Sequence, residues 1–225
     1  MTLRVLVLGL LMVALTLGAE PGYTLKLSEK TPAPNDVAEA VRAVLDDTAR
    51  QVHDSEGKLH AEFWPRLKLP GDATEAQVKN GLTYDEIPET TLLGVVRFPA
   101  GVTDYRKQRV PAGVYTLRLA HQPQVGDHAG TAPFSTFALA LRVADDRAIE
   151  PIALEKLRET SARVTEGHPS PWLLFPGGKD AGGDAKWIDK GKGHGVLFWK
   201  QNVTIGDKNT TIGIGLTLAG VSAAR

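Results

Sequence analysis

Apolar and polar residues alternate along several short stretches of the chain, which is the pattern of half-buried β-strands. In the stretch GVYTLRL, Tyr115, Leu117 and Leu119 share one apolar face. Thr116 and Arg118 lie on the opposite face. Further strands are predicted in the segments TTLLGVVRF, FSTFALALRV, GVLFWKQ and TTIGIGLTLAGV. A period of two residues with one apolar face is typical of an antiparallel sheet.

The segment TARQVHDSEGKLHAEFWPRLKLP predicts a β-hairpin around the turn SEGK. A two-residue loop at Glu56–Gly57 and a four-residue loop at Ser55–Lys58 give the same pairing, in which Val52 faces Ala61. A three-residue loop would set Val52 against His60 and mix the apolar and polar faces. Because the buried face fixes the register of a strand, we expect the first pairing.

Helical periodicity occurs in two places. Apolar residues from Val37 to Leu45 fall at helical spacing after Asp36, and a second stripe in EPIALEKLRETSARVTEGHP ends at Gly167 and Pro169. The many short strands and the few helices predict a mainly β fold. We expect an antiparallel β-sandwich, of the jelly-roll or Ig-like kind, with one or two peripheral helices.

The N-terminal residues are expected to lie outside this fold. A basic residue, Arg4, precedes an apolar run from Val5 to Leu17 and then small residues, which is the layout of a secretory signal peptide. The run is shorter than the roughly 20 residues of a transmembrane helix. We therefore predict a signal peptide over residues 1–19, a single β-sandwich-like domain over residues 20–225, and no transmembrane segment after the signal is removed.

Composition narrows the location and the partners of the protein. The chain has 225 residues, with 26 basic and 26 acidic side chains, and no basic block that predicts nucleic-acid binding. It has no cysteine, which excludes disulfides, a cysteine nucleophile and cysteine-ligated metals. Together with the signal, the composition predicts a periplasmic or extracellular protein whose stability comes from packing.

The loop LAHQPQVGDHAGTAPF joins two predicted strands and contains the first group of candidate site residues. His121, Asp127 and His128 carry imidazole and carboxylate groups, which suit zinc or another first-row metal ion. The other interpretation is a hairpin connection whose polar residues face water. The length of the loop favours a function. The candidate ligand-binding residues are His121, Gln122, Gln124, Asp127, His128 and Trp64.

The hairpin register produces a second group of candidates. In the expected pairing, His53 faces His60 across the strands, at a Cβ separation of about 4.5–5.5 Å. Glu62 lies two residues further along the same face, so His53, His60 and Glu62 are candidate ligands for a divalent metal. The alternative is a solvated outer face, which these residues share with Trp64.

The tryptophan side chains are the remaining candidates for contacts with a ligand. Exposed tryptophans stack on sugar rings and apolar ligands, whereas buried ones belong to the core. Trp64 is the most promising of the four because its predicted face also carries His60 and Glu62. The tryptophans of the chain are Trp64, Trp172, Trp187 and Trp199.

Three segments together resemble a family of uncharacterised exported bacterial proteins: GKLHAEFWPRLKLP, LLGVVRFPAG and VPAGVYTLRLAHQPQVGDHAGTAPF. Members of that family share a strand ending in PAG, then GVYTLR, then a loop of the form QPQ…DGNH.GT.P. The resemblance covers about residues 36–170, and this chain has VGDH where the family pattern has DGNH. It implies an exported, β-rich bacterial protein and supplies no catalytic residues.

The leading hypothesis is an exported β-sandwich protein with a non-enzymatic binding or structural role in the bacterial envelope or outside the cell. No cofactor is predicted, and the ligand stays open between a polysaccharide, a small molecule and another protein. The chain lacks the G-x-S-x-G and H-E-x-x-H motifs of common hydrolases. The alternative is a metal-dependent enzyme, of the hydrolase or oxygenase type, that uses one of the His/Asp/Glu clusters.

Overall fold

Strands dominate the computed structural model, which describes residues 22–122, 132–183 and 185–223. The predicted signal peptide and the candidate residues Gln124, Asp127 and His128 lie outside these ranges. The strands are β1 (Thr24–Leu27), β2 (Arg50–His53), β3 (Leu59–Pro65), β4 (Leu69–Pro70), β5 (Leu92–Phe98), β6 (Val102–Thr103), β7 (Arg109–Val110), β8 (Gly113–His121), β9 (Thr136–Arg142), β10 (Pro171–Pro176), β11 (Lys186–Asp189), β12 (Gly195–Ile205) and β13 (Lys208–Ala219). The helices are α1 (Glu39–Arg42), α2 (Glu75–Asn80) and α3 (Leu154–Thr165), with 3-10 turns at Tyr84–Glu86 and Gly178–Ala181.

One sheet contains most of the strands, in the order β1-β2-β3-β5-β8-β9-β10-β13-β12-β11, and β4 joins it alongside β12. All its pairs are antiparallel except the pair of β4 with β12. The sheet curls into a half-barrel. The two end strands of the sheet, β1 and β11, approach each other. The ring of Tyr23, which directly precedes β1, lies 5.2 Å from the ring of Trp187 in β11.

The predicted mainly β fold is confirmed, but the sandwich of two stacked sheets is not. A single curled sheet buries its own concave face instead. The alternation of apolar residues shows which face of a strand is buried, but it does not show whether a second sheet or the same sheet covers that face. The second predicted helix corresponds to α3, whereas the N-terminal one is only the four residues of α1.

Aromatic rings fill the concave face of the sheet. The ring of Phe63 lies 5.1 Å from the ring of Trp199, and Phe98 stacks on Trp172 with ring centroids 4.8 Å apart. Aliphatic side chains from strands β2 to β13 surround these rings. This cluster is the main core, and burial of its large rings supplies much of the free energy that keeps the sheet curled.

Three separate segments cover parts of the convex face. The N-terminal segment that contains Val37 and Val41 packs on Trp64 and Val95. Helix α3 places Leu157 in a cluster with residues of β8 and β9. The 3-10 turn after β10 packs against β12. None of the helices in the described ranges is long and apolar enough to cross a membrane.

A buried ion pair fastens the segment between β9 and α3 to the convex face of β8. Arg118 is fully buried, and its Nε and Nη2 donate to the two carboxylate oxygens of Asp146 at 2.8 and 2.9 Å. Its remaining N–H groups donate to the backbone carbonyls of Thr90, Ala148 and Glu150 at 2.6–2.9 Å. All five donors of the guanidinium are therefore used, as burial of this cation requires.

We expect Asp146→Ala to lower the free energy of unfolding by about 3–5 kcal/mol, because it leaves a buried guanidinium without its counter-ion. The neighbouring Asp145→Ala is the matched control. Asp145 pairs with Arg163, which is largely exposed, at 3.7 Å, so its loss should cost less than about 1 kcal/mol. Urea denaturation of both variants measures the difference, and equal losses would contradict the account.

Candidate functional site

The β2–β3 hairpin has a different turn from the expected one. The N–H of Asp54 donates to the carbonyl of Lys58, and the N–H of Gly57 donates to the carbonyl of Asp54, both at 2.9 Å. Gly57 has a φ of +79°, in the left-handed region. The carboxylate Oδ1 of Asp54 also accepts the N–H groups of Glu56 and Lys58. These bonds define a three-residue loop, Ser55–Gly57, with a left-handed third residue.

A β-bulge reconciles this loop with the expected register. His53 pairs with Leu59, whereas Val52 pairs with Ala61, so His60 is an additional residue in β3. The predicted pairing of Val52 with Ala61 is confirmed. The predicted loop length is wrong, and so is the direct pairing of His53 with His60, because the bulge takes up the one-residue difference.

The bulge turns the side chain of His60 toward the concave face. Its ring lies 5.0 Å from the ring of Tyr23 and 6.5 Å from that of Phe98, and its Nε2 lies 2.9 Å from the carbonyl oxygen of Leu218. Because a carbonyl can only accept a hydrogen bond, Nε2 carries the proton. In the neutral ring, Nδ1 is then left as a hydrogen-bond acceptor.

Glu62 stays on the convex face, where other residues bind its carboxylate. It is buried, forms an ion pair with Arg97, and accepts a hydrogen bond from the side chain of Gln51 at 2.8 Å. His53, His60 and Glu62 therefore do not assemble into the predicted metal cluster. In the described ranges, no group of three or more His, Asp or Glu side chains is placed to hold a metal ion.

Trp64 is buried, which contradicts its predicted exposure. Only 1% of its surface is accessible, and its Nε1 donates to the carbonyl of Thr31 at 2.6 Å. The alternation of β3 correctly puts Trp64 on the convex face, but it does not reveal that the N-terminal segment covers this face. Trp172 and Trp199 are also buried, and Trp187 is half-buried.

His121 lies at the other end of the sheet from His60. Phe98, which contacts His60, pairs with Gly113 at the start of β8, and His121 is the last residue of that nine-residue strand. Eight residue steps along a strand span roughly 26 Å. His60 and His121 are therefore far apart.

His121 and Gln122 are the candidate ligand-binding residues of this loop that the structure describes. The backbone N–H of His121 donates to the carboxylate of Glu89 at 2.9 Å, and its Nδ1 lies 3.5 Å from the hydroxyl of Thr136. The following residues 123–131 lie outside the described ranges. Ligand binding by this loop therefore stays a prediction.

A groove of about 280 Å³ lies at the end of the sheet where His60 is found. We call it the hairpin groove. Among the predicted site residues that the structure describes, His60 alone lines it. The lining residues come from the position before β1, the β2–β3 turn with the start of β3, the loop after β5 with β6, and the end of β13 with the residues after it. They are Tyr23, Asp54, Lys58, Leu59, His60, Ala100, Gly101, Val102, Thr103 and Leu218–Val221.

The polar side chains of the hairpin groove offer both donors and acceptors. Burial, and next the charge of Asp54, raise the pKa of Tyr23, so its phenol stays protonated at neutral pH. Asp54 and Lys58, from the same turn, add a carboxylate and an ammonium group. With the imidazole of His60 and the hydroxyl of Thr103, the groove has five hydrogen-bonding side chains.

Backbone contacts fix the wall formed by Leu218–Val221. The Nε2 of His194 lies 3.2 Å from the carbonyl oxygen of Val221. The N–H of Ser222 donates to the carbonyl of Tyr105 at 2.8 Å. Together with the contact from His60 to this segment, these bonds hold the wall before any ligand arrives, which is the preorganised arrangement that favours binding.

Sequence reasoning missed Tyr23, Asp54 and Lys58, although the turn itself carries a usable signal. An aspartate at the first position caps two N–H groups of the loop, and a glycine three residues later accepts the left-handed conformation. The β6–β7 turn repeats the arrangement, because Asp104 accepts two loop N–H groups and Lys107 has a φ of +67°. This pattern predicts a three-residue loop.

No family model, curated protein sequence or solved structure matches the chain. The function therefore rests on the geometry of the hairpin groove and on the sequence patterns.

Gly220→Ala is expected to distort the groove wall and to lower stability by about 1–3 kcal/mol. Gly220 has a φ of +97°, and a Cβ atom there would lie 2.4 Å from the carbonyl oxygen of Gly193. Gly167→Ala is the control, because its Cβ would meet nothing closer than 3.9 Å. Thermal unfolding and amide chemical shifts of the wall measure the effect; an unchanged wall in Gly220→Ala would contradict this geometry.

Proposed function

We propose that the protein is an exported bacterial binding protein, located in the envelope or outside the cell, which holds a small ligand in the hairpin groove. The layout of residues 1–19 supports export. The resemblance to exported bacterial proteins supports the same location. Binding is the role proposed for the groove because its lining offers hydrogen-bond donors and acceptors beside an aromatic ring.

The bulge at His60 is the observation that carries this proposal. A two-residue or four-residue turn would pair Val52 with Ala61 without any bulge, so the bulge is not needed to bury the apolar face. Its distinct effect is to bring one more side chain, the imidazole of His60, into the groove. Bulges of this kind re-aim side chains and occur frequently beside functional sites.

The proposal is tested by titrating the purified protein with neutral mono- and disaccharides, amino acids, short peptides and simple anions. Chemical shifts of backbone amides report where each probe binds. We expect saturable shifts at the groove residues with at least one class of probe. Shifts confined to other surfaces, or none with any class, would overturn the proposal.

The variant His60→Phe keeps an aromatic ring beside Tyr23 but removes both ring nitrogens. Loss of one hydrogen bond to the ligand costs about 0.5–1.5 kcal/mol. We therefore expect an affinity about two- to tenfold weaker for the bound probe, since tenfold corresponds to about 1.4 kcal/mol. His168→Ala, at an exposed histidine outside the groove, is the matched control and should bind as the native protein does.

A further inference from the structure

We infer that the hairpin groove binds a neutral carbohydrate and accommodates one sugar ring of it. This inference rests on the proposed binding function and specifies its ligand. Three properties of the groove carry it: its balanced charge, its aromatic wall and its mixture of hydrogen-bonding groups.

The charges of the groove compensate each other. Asp54 and Lys58 are the only acidic and basic side chains among the lining residues, and both belong to the β2–β3 turn. The neutral form of the His60 imidazole donates its Nε2 proton to a carbonyl and adds no charge. A ligand with a net charge gains no overall Coulomb attraction from such a surface, so a neutral ligand fits it better than an anion or a cation.

One wall of the groove is aromatic and firmly supported. The ring of Tyr23 is tilted by 59° against the ring of His60 and by 47° against that of Trp187, and lies about 5 Å from each. Tyr23 is therefore packed against two aromatic neighbours while it lines the groove. The C–H groups of one face of a sugar ring pack against such an aromatic surface, whereas the hydroxyl groups around its rim remain available for hydrogen bonds.

The polar groups match the hydroxyl groups of a sugar, each of which can both donate and accept. Nδ1 of His60 and the carboxylate of Asp54 are acceptors, Lys58 is a donor, and the hydroxyl of Thr103 is both. A zwitterionic amino acid would satisfy Asp54 and Lys58 but would offer little to the other groups. The volume lies just below the range of about 300–1,000 Å³ typical of sites for larger ligands, which suits a single ring.

Titration with glucose, N-acetylglucosamine and cellobiose, followed by amide chemical shifts and calorimetry, tests the inference. Glycine and sodium acetate are the comparison probes. We expect saturable binding of at least one saccharide at the groove residues, and at least tenfold weaker binding of glycine and acetate.

Two variants examine the aromatic wall. Tyr23→Leu should weaken saccharide binding by about tenfold or more, since it removes the flat ring, whereas Tyr23→Phe should retain most of the affinity because it keeps the ring. Circular dichroism and thermal unfolding verify that both variants are folded. Equal saccharide affinity in the leucine variant and the native protein would overturn the role of the ring.

The outcomes separate this inference from the proposed function. Groove binding by glycine or acetate, without saccharide binding, would overturn the carbohydrate assignment and leave the proposed binding function standing. If no probe of any class shifts the amide resonances of the groove residues, both the carbohydrate assignment and the proposed binding function are overturned. Saccharide binding that depends on the Tyr23 ring supports both.

Discussion

A long antiparallel sheet has two faces, and each must be shielded from water. In this protein the concave face is shielded by curling, so that strands far apart in the sheet pack their side chains against one another. The contact between His60 in β3 and the carbonyl of Leu218 in β13 spans this concavity, although four other strands lie between these two in the sheet. The positions of the core, the convex coverings and the groove all depend on this curl.

The hairpin groove is a direct consequence of the curl and of one irregularity. Curling brings the β2–β3 turn close to the end of β13, and the bulge adds the imidazole that contacts Leu218 there. At a β-bulge, one residue has no hydrogen-bonded partner on the neighbouring strand. The hydrogen bond to Leu218 and the ring contact with Tyr23 offset that loss by giving His60 new partners.

Local patterns predict much of the fold but little of the site. Alternation in β5, β8 and β9 locates these strands and their buried faces, because side-chain direction along a strand depends only on the neighbouring residues. It cannot show that Trp64 is covered by the N-terminal segment, since that contact joins residues distant in the chain. The predicted sandwich is not confirmed for a similar reason, because curling is a property of the whole sheet.

A one-residue irregularity in the pairing of β2 with β3 prevents the expected metal cluster from forming. Val52 and Ala61 pair as predicted, yet the bulge sends His60 to one face while Glu62 remains on the other with Arg97. Strict alternation therefore assigns His60, on which the predicted cluster depends, to the wrong face of the sheet. The Asp-x-x-Gly turn contains the information about loop length, but the bulge follows only when the buried face is considered together with that turn.

The protonation state of the His60 imidazole tests the central claim most directly. Long-range nitrogen–proton NMR correlations identify which ring nitrogen carries the proton in a neutral histidine. The account predicts that the neutral form of His60 has its proton on Nε2, donated to Leu218, and an unprotonated Nδ1. A proton on Nδ1, or an averaged mixture of the two forms, would contradict the placement of His60 in the groove.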